Sequence, residues 1–111
     1  MKNEVIVTPH FERNYKRFAK KFASLGGEVD TLVNELLKNP TLGESLGAGL
    51  YKIRVAVESK GSGKSGGFRV ITYLINQTKE GTDIYLVTIY DKSEESTKQK
   101  NVLLKLIKDI L

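Results

Sequence analysis

Apolar and charged residues alternate with a helical period near the start of the chain. Five aromatic or apolar residues follow one another at intervals of four, three, four and three: Phe11, Tyr15, Phe18, Phe22 and Leu25. This spacing predicts a helix with one apolar stripe, which we interpret as core. Thr8-Pro9 supplies an N-cap followed by proline at the first helical position. The run Glu4 to Val7 before it is typical of a short strand.

A second helix is predicted directly after the first. Gly26-Gly27 is expected to break the first helix, and a new apolar stripe extends from Val29 to Leu37. The stripe ends before Asn39-Pro40, because the residue before a proline disfavours helical backbone. The first half is therefore predicted to be a strand and a helical hairpin, and the following TLGESLGAG is interpreted as a loop.

The second half of the chain contains three strand-like runs and a last amphipathic stretch. The runs are Leu50 to Val57, Gly67 to Ile75 and Thr82 to Tyr90. Short connections between them favour an antiparallel meander. Ser93 with Glu94 and Glu95 is predicted to start a C-terminal helix. The expected fold is α+β, with one sheet covered by helices, and 111 residues fit a single domain over residues 1–111.

Strand alternation predicts which side chains share a face of this sheet. The helix-facing set is expected to comprise Tyr51, Ile53, Val55, Val57, Val70, Thr72, Leu74, Tyr85, Val87 and Ile89. The opposite face is expected to hold Ile71, Leu86 and Thr88 as well as a group of cations and aromatics: Lys52, Arg54, Arg69, Tyr73 and Tyr90. We expect this second face to be half-open to solvent. A slip of one residue would move a whole strand to the other face.

The positive charge is concentrated in the middle of the chain. Of a net charge of +5, residues 50–75 carry +4, from five Lys or Arg against one Glu. A polyanionic partner fits this distribution, as does a solvated edge that discourages aggregation. Cysteine is absent, which excludes disulfides and thiolate metal sites. No signal peptide or membrane-spanning run is found, so a soluble cytoplasmic protein with no membrane partner is expected.

The segment GSGKS at residues 61–65 resembles the end of a nucleotide-binding P-loop. That motif requires a glycine five positions before the Gly-Lys-Ser step, and a helix after it. Glu58 occupies the glycine position, and the β-branched run from Phe68 predicts a strand. A P-loop is excluded. The segment is interpreted as a mobile basic hairpin loop.

Cations interleaved with tyrosines on a sheet face suit single-stranded nucleic acid, because cations neutralise phosphates and aromatic rings stack on bases. The alternative is that the tyrosines are packing residues and the arginines only confer solubility. A ribonuclease with a histidine pair is excluded, since His10 is the sole histidine and is expected at the surface. No spacing of metal ligands is found, and no metal or cofactor is expected.

The order of elements resembles the RelE/ParE superfamily of bacterial toxins, and most specifically its HigB-like branch. The segments that carry the resemblance are LGAGLYKIRVAVESKGSGKSGG, FRVITY and LVTIYDKSE. The resemblance implies a RelE-like fold and a ribosome-dependent mRNA endonuclease that needs no metal. It also implies a cognate antitoxin as inhibitor, a ribosome and mRNA as targets, and a monomeric free toxin. Two alternatives stay open: a ParE-like gyrase inhibitor and a noncatalytic RNA-binding module.

The resemblance implies the site residues one by one. Arg54, Arg69, Tyr90 and Lys92 match the expected catalytic positions, and Lys52 matches a basic position beside Arg54 on the first meander strand. Some relatives have a tyrosine in the last helix, whereas residues 93–111 contain none. Tyr90 is therefore the expected aromatic participant.

Three further residues complete the expected RNA- and ribosome-binding surface. Lys60 and Lys64 in the glycine-rich loop are expected to contact ribosomal RNA or the mRNA backbone, and Tyr73 is expected to stack on a base. The alternative for the loop is a hairpin connection with two incidental lysines.

Overall fold

The computed structural model of the chain describes residues 2–58, 67–92 and 100–110. Its elements follow in the order β1 Glu4–Val7, α1 Pro9–Lys21, α2 Leu25–Lys38, β2 Glu44–Gly47, β3 Leu50–Val55, β4 Phe68–Thr78, β5 Gly81–Asp91 and α3 Lys100–Ile110. The predicted α+β class is confirmed: one sheet is covered by helices. The expected start of the last helix at Ser93 lies outside the described residues.

A single five-stranded sheet has the order β1-β5-β4-β3-β2. Strands β3, β4 and β5 form the predicted antiparallel meander, and β1 pairs with β5 in parallel orientation. Strand β2 lies in the stretch that the sequence indicated to be a loop. Its pairing with β3 includes an irregularity between Ser45 and Gly47, and Gly47, Ala48 and Gly49 all have positive φ. Tertiary pairing with β3, and not strand propensity, therefore creates β2.

Helix α1 begins where the sequence predicts. The Thr8 hydroxyl caps it by accepting the Phe11 N–H at 3.2 Å. The break between the helices comes earlier than expected, because α2 already begins at Leu25 and Gly26-Gly27 lies in its first turn. A Cβ at Gly26 would lie 3.3 Å from the Tyr15 hydroxyl, so the glycine permits close helix packing. Within the described residues, no helix is long and apolar enough to cross a membrane.

The sheet has a packed cluster on each face. The larger cluster lies under α1 and α2 and is centred on Phe11, Phe18, Leu36, Phe68 and Val70. The smaller cluster lies under α3 and contains Leu50, Ile71, Val87, Tyr90, Leu103 and Ile107. The face of the sheet that the sequence indicated to be half-open is therefore partly covered by α3.

A β-bulge in β5 corrects the predicted faces of that strand. Ile71 is opposite Thr88, but the next residue, Thr72, is opposite Leu86, so Val87 is the extra residue. Leu86 consequently packs in the α1/α2 cluster, and the expectation that it faces the arginines was wrong. Tyr85 and Val87, expected in the α1/α2 core, pack instead in the α3 cluster.

Candidate functional site

Two arginines and a tyrosine form one row across the three central strands. Arg54 of β3 is directly opposite Arg69 of β4, and Arg69 is directly opposite Tyr90 of β5. Directly opposed residues of antiparallel strands point to the same face, with Cβ atoms about 5 Å apart. We call this set the Arg-Arg-Tyr row. The alternation of side chains along the strands predicts that these three residues share a face, and the register confirms it.

Exposure to solvent is uneven along the Arg-Arg-Tyr row. Arg54 is exposed, whereas Arg69 is 2% and Tyr90 4% exposed. Tyr90 packs in the cluster that also contains Leu103 and Ile107 of α3. The Arg69 Nη1 donates a hydrogen bond to the Phe68 carbonyl at 3.2 Å. The row is thus open at its β3 end and buried at its β5 end, which differs from the half-open face that was expected.

Lys52 lies on the same face of β3 as Arg54 and has a carboxylate partner that the sequence did not indicate. Its Nζ lies 3.3 Å from Oε2 of Glu44, directly opposite on β2. The Lys52 side chain is 21% exposed and that of Glu44 65%. Because TLGESLGAG was interpreted as a loop, no strand was available to bring Glu44 to Lys52. The only signal in the sequence was one acidic residue before the basic strand.

The two cations of β3 also border a cleft at the edge of the sheet. This cleft, of about 380 Å³, is lined by Lys52 and Arg54 together with the acidic side chains Glu35 and Glu44. Strand β2 pairs with β3 only as far as Lys52, so the β3 edge beyond it is open towards α2. Carboxylates therefore flank the exposed end of the Arg-Arg-Tyr row and moderate its positive potential.

The remaining expected site residues have different surroundings. Tyr73 is half-buried and packs in the α3 cluster opposite Tyr85, with its ring against Gly49. Lys92 is half-buried one residue beyond β5, and its N–H donates to the Gly67 carbonyl at 3.1 Å. Lys92 therefore lies at the end of the sheet at which β4 begins. Lys60 and Lys64 lie outside the described residues.

His10 differs from its expected place at the surface. It is half-buried, and its Nε2 lies 3.1 Å from the hydroxyl of Thr88, two residues before Tyr90. Sequence reasoning missed this contact because it depends on where α1 crosses β5. Across residues 2–58, 67–92 and 100–110, no three His, Asp or Glu side chains come close enough to bind a metal ion together.

Comparison with known proteins gives a fold relationship. No protein-family model matches the chain. The structure is similar to a solved structure of the E. coli toxin RelE, a double arginine-to-alanine mutant in the free state. The TM-score is 0.59 at 19% sequence identity, and the match covers 100% of both chains. The predicted RelE-like fold is thereby confirmed over the full length.

Proposed function

We propose that this chain, with its RelE-like fold, is a toxin of a type II toxin-antitoxin system, of the HigB-like branch. Its proposed activity is ribosome-dependent cleavage of mRNA, which blocks translation, and its proposed partners are a cognate antitoxin, the ribosome and mRNA. The sequence motifs support the branch, and the fold of the E. coli toxin RelE supports the superfamily. The chemistry of the Arg-Arg-Tyr row supports the reaction.

The observation that carries the proposal is the pairing of two arginines directly opposite each other, one of them buried. Like charges in directly opposed positions destabilise a sheet, and burial of a guanidinium is costly even when its hydrogen bonds are made. Arg54 and Arg69 combine both costs in the centre of the sheet. The exposed guanidinium of Arg54 can donate hydrogen bonds to an anion, and RNA supplies phosphates.

Cleavage of RNA through its own 2′-hydroxyl assigns a task to each residue. The 2′-oxygen loses its proton and attacks phosphorus, and the bond from phosphorus to the 5′-oxygen breaks. The products are a 2′,3′-cyclic phosphate and a 5′-hydroxyl that has taken up a proton. The exposed Arg54 contacts the phosphate, and the neighbouring Arg69 adds positive potential from a site of low dielectric constant.

We assign proton transfer to Tyr90, at the other end of the row, and to Lys92, two residues further along the chain. A phenol and an amine can each exchange a proton with the 2′- or the 5′-oxygen. A site of this kind works best when another body holds the 2′-oxygen, phosphorus and 5′-oxygen in line, because positioning alone lowers the barrier substantially. We assign that task to the ribosome, which explains why cleavage would depend on it.

The test is primer extension on a reporter mRNA in a reconstituted translation system, with and without ribosomes. Wild type is compared with Arg54→Ala, Tyr90→Phe and the matched control Arg13→Ala, which also removes one charge from an exposed arginine, but from α1. We expect cuts within the reading frame that need ribosomes, that weaken at least tenfold in Arg54→Ala and Tyr90→Phe, and that persist in Arg13→Ala.

Three outcomes would contradict the proposal. Comparable cleavage of naked RNA would remove the role of the ribosome. Intact mRNA throughout, with the protein still toxic in cells, would point to a ParE-like target and make inhibition of DNA gyrase the next assay. A protein that binds RNA without cutting it would be a noncatalytic module.

A further inference from the structure

The first turn of α1 contacts all three residues of the bulge in β5. The Thr8 hydroxyl lies 2.8 Å from the Leu86 carbonyl oxygen and 3.3 Å from that of Val87, and it donates towards both. The Nε2 of His10 lies 3.1 Å from the hydroxyl of Thr88. Thr8 is 2% exposed, so water competes little for these hydrogen bonds. The start of α1 therefore holds the point in β5 at which the alternation of side chains changes. We call these contacts of Thr8 and His10 the clamp.

The bulge decides on which face the tyrosine of the Arg-Arg-Tyr row lies. Tyr85 and Tyr90 both belong to the α3 cluster although five positions separate them, which regular alternation does not allow. If Val87 were not extra and Leu86 stayed opposite Thr72, Ile89 would be opposite Arg69. Tyr90 would then point towards α1 and α2, and the row would lose its tyrosine.

The histidine has a second partner that defines its role in this clamp. The Nδ2 of Asn14, one turn further along α1, lies 3.1 Å from the same Nε2 and 3.2 Å from the His10 carbonyl oxygen. An amide nitrogen can only donate, so Nε2 accepts from Asn14, and the Thr88 hydroxyl shares the same lone pair when it donates. His10 therefore acts as an acceptor held in place by its own helix.

We propose that Thr8 and His10 are positioning residues of the Arg-Arg-Tyr row: they hold the β5 bulge and thereby keep Tyr90 beside Arg69. This inference rests on the proposed function, because the benefit of the position is realised in RNA cleavage. Neither residue touches the row itself; both act through the backbone and the hydroxyl of residues 86–88. A displacement of the order of 1 Å at a reacting group can reduce a rate by as much as about 10²-fold.

The experiment measures single-turnover cleavage of ribosome-bound mRNA by the full chain. Thr8→Val and His10→Leu remove the hydrogen bonds and keep the approximate size of each side chain. Thr8→Ser retains the hydroxyl, and His10→Gln retains an acceptor at a similar distance from the backbone. We expect each of the first two variants to lower the maximal rate about tenfold or more with little change in KM, and each conservative variant to restore most of it.

A control variant in α2 separates the effect of lost stability from the effect of lost positioning. Val29→Ala removes two methyl groups from a buried position in α2 and leaves the hydrogen bonds of Thr8 and His10 to β5 in place. Its rate per folded molecule should equal that of wild type. Hydrogen–deuterium exchange of the backbone of residues 86–91 should accelerate in Thr8→Val and His10→Leu but not in Val29→Ala, provided that the three variants are compared at equal free energy of unfolding.

Each remaining result overturns the inference. Equal rates in Thr8→Val, His10→Leu and Val29→Ala would mean that the clamp supports folding only. Failure of Thr8→Ser and His10→Gln to restore activity would mean that the hydrogen bonds are not the cause. Absence of cleavage by the wild type would refute the proposed function itself, and with it this role of the clamp. The first two results leave the proposed function intact, so the two failures can be told apart.

Discussion

A buried threonine in the middle of β4 offers a direct test of how the sheet is packed. Thr72 is completely buried between Tyr51 of β3 and Leu86 of β5. Its hydroxyl has no hydrogen-bond partner within the part of the chain that the structure describes. Valine has nearly the same shape and no hydroxyl. We therefore predict that Thr72→Val makes the protein more stable.

The expected size follows from the cost of an unmade hydrogen bond. A buried hydroxyl without a partner costs about 1–3 kcal/mol relative to water. The substitution removes that cost, adds one methyl group to the α1/α2 cluster and retains β-branching. We expect the free energy of unfolding to rise by about 1 kcal/mol or more, which for a domain of this size raises Tm by about 4 °C.

The assay is urea unfolding, in which the midpoint should rise at an unchanged m-value. The matched control is Thr88→Val on the neighbouring strand, where the threonine is equally buried but its hydroxyl contacts His10 at 3.1 Å. The free energy of unfolding of that variant should fall by about 1 kcal/mol. A Thr72→Val protein no more stable than wild type, or a Thr88→Val protein that gains as much, would refute the reasoning.

Three further outcomes test other parts of the structure. Gly43→Ala should lower the free energy of unfolding by about 2 kcal/mol or more in urea titrations. The reason is that φ of Gly43 is +101° and a Cβ there would lie 2.5 Å from the Lys52 carbonyl oxygen. Gly27→Ala is the control, because nothing lies within 4 Å of a Cβ at that position. Glu44→Gln should change stability by less than about 1 kcal/mol but strengthen RNA binding at low salt in filter binding, because Lys52 loses its ion-pair partner. Arg69→Met should lower cleavage at least tenfold in the primer-extension assay, because it removes the buried positive charge beside Arg54. Cleavage at the wild-type rate by the folded variant would contradict this role.

The helices and the central meander could be predicted because short-range chemistry determines them. Thr8-Pro9 specifies the start of α1, and Asn39-Pro40 specifies the end of α2. The alternation in YKIRVAV and FRVITY depends only on the two-residue period of a strand, which places Arg54 and Arg69 on one face. The composition of these segments, together with their order, was sufficient for the α+β class.

Other features depend on contacts between distant segments, which no local pattern encodes. Strand β2 exists because β3 pairs with it, and that pairing brings Glu44 to Lys52. The burial of Arg69 and Tyr90 likewise depends on the packing of the folded chain and not on their own strands.

The bulge in β5 shows most clearly which features the sequence determines and which the tertiary structure decides. Sequence alternation correctly placed Tyr90 on the arginine face but assigned Tyr85 and Leu86 to the wrong faces, because one extra residue lies between them and Tyr90. A bulge leaves no signature in a run of β-branched and aromatic residues; here it coincides with hydrogen bonds from α1, some eighty positions earlier in the chain. The sequence by itself determined the residue types of the site and the strands that carry them. Tertiary packing decided their register and their exposure, because both depend on free energies of pairing between segments that only folding brings together.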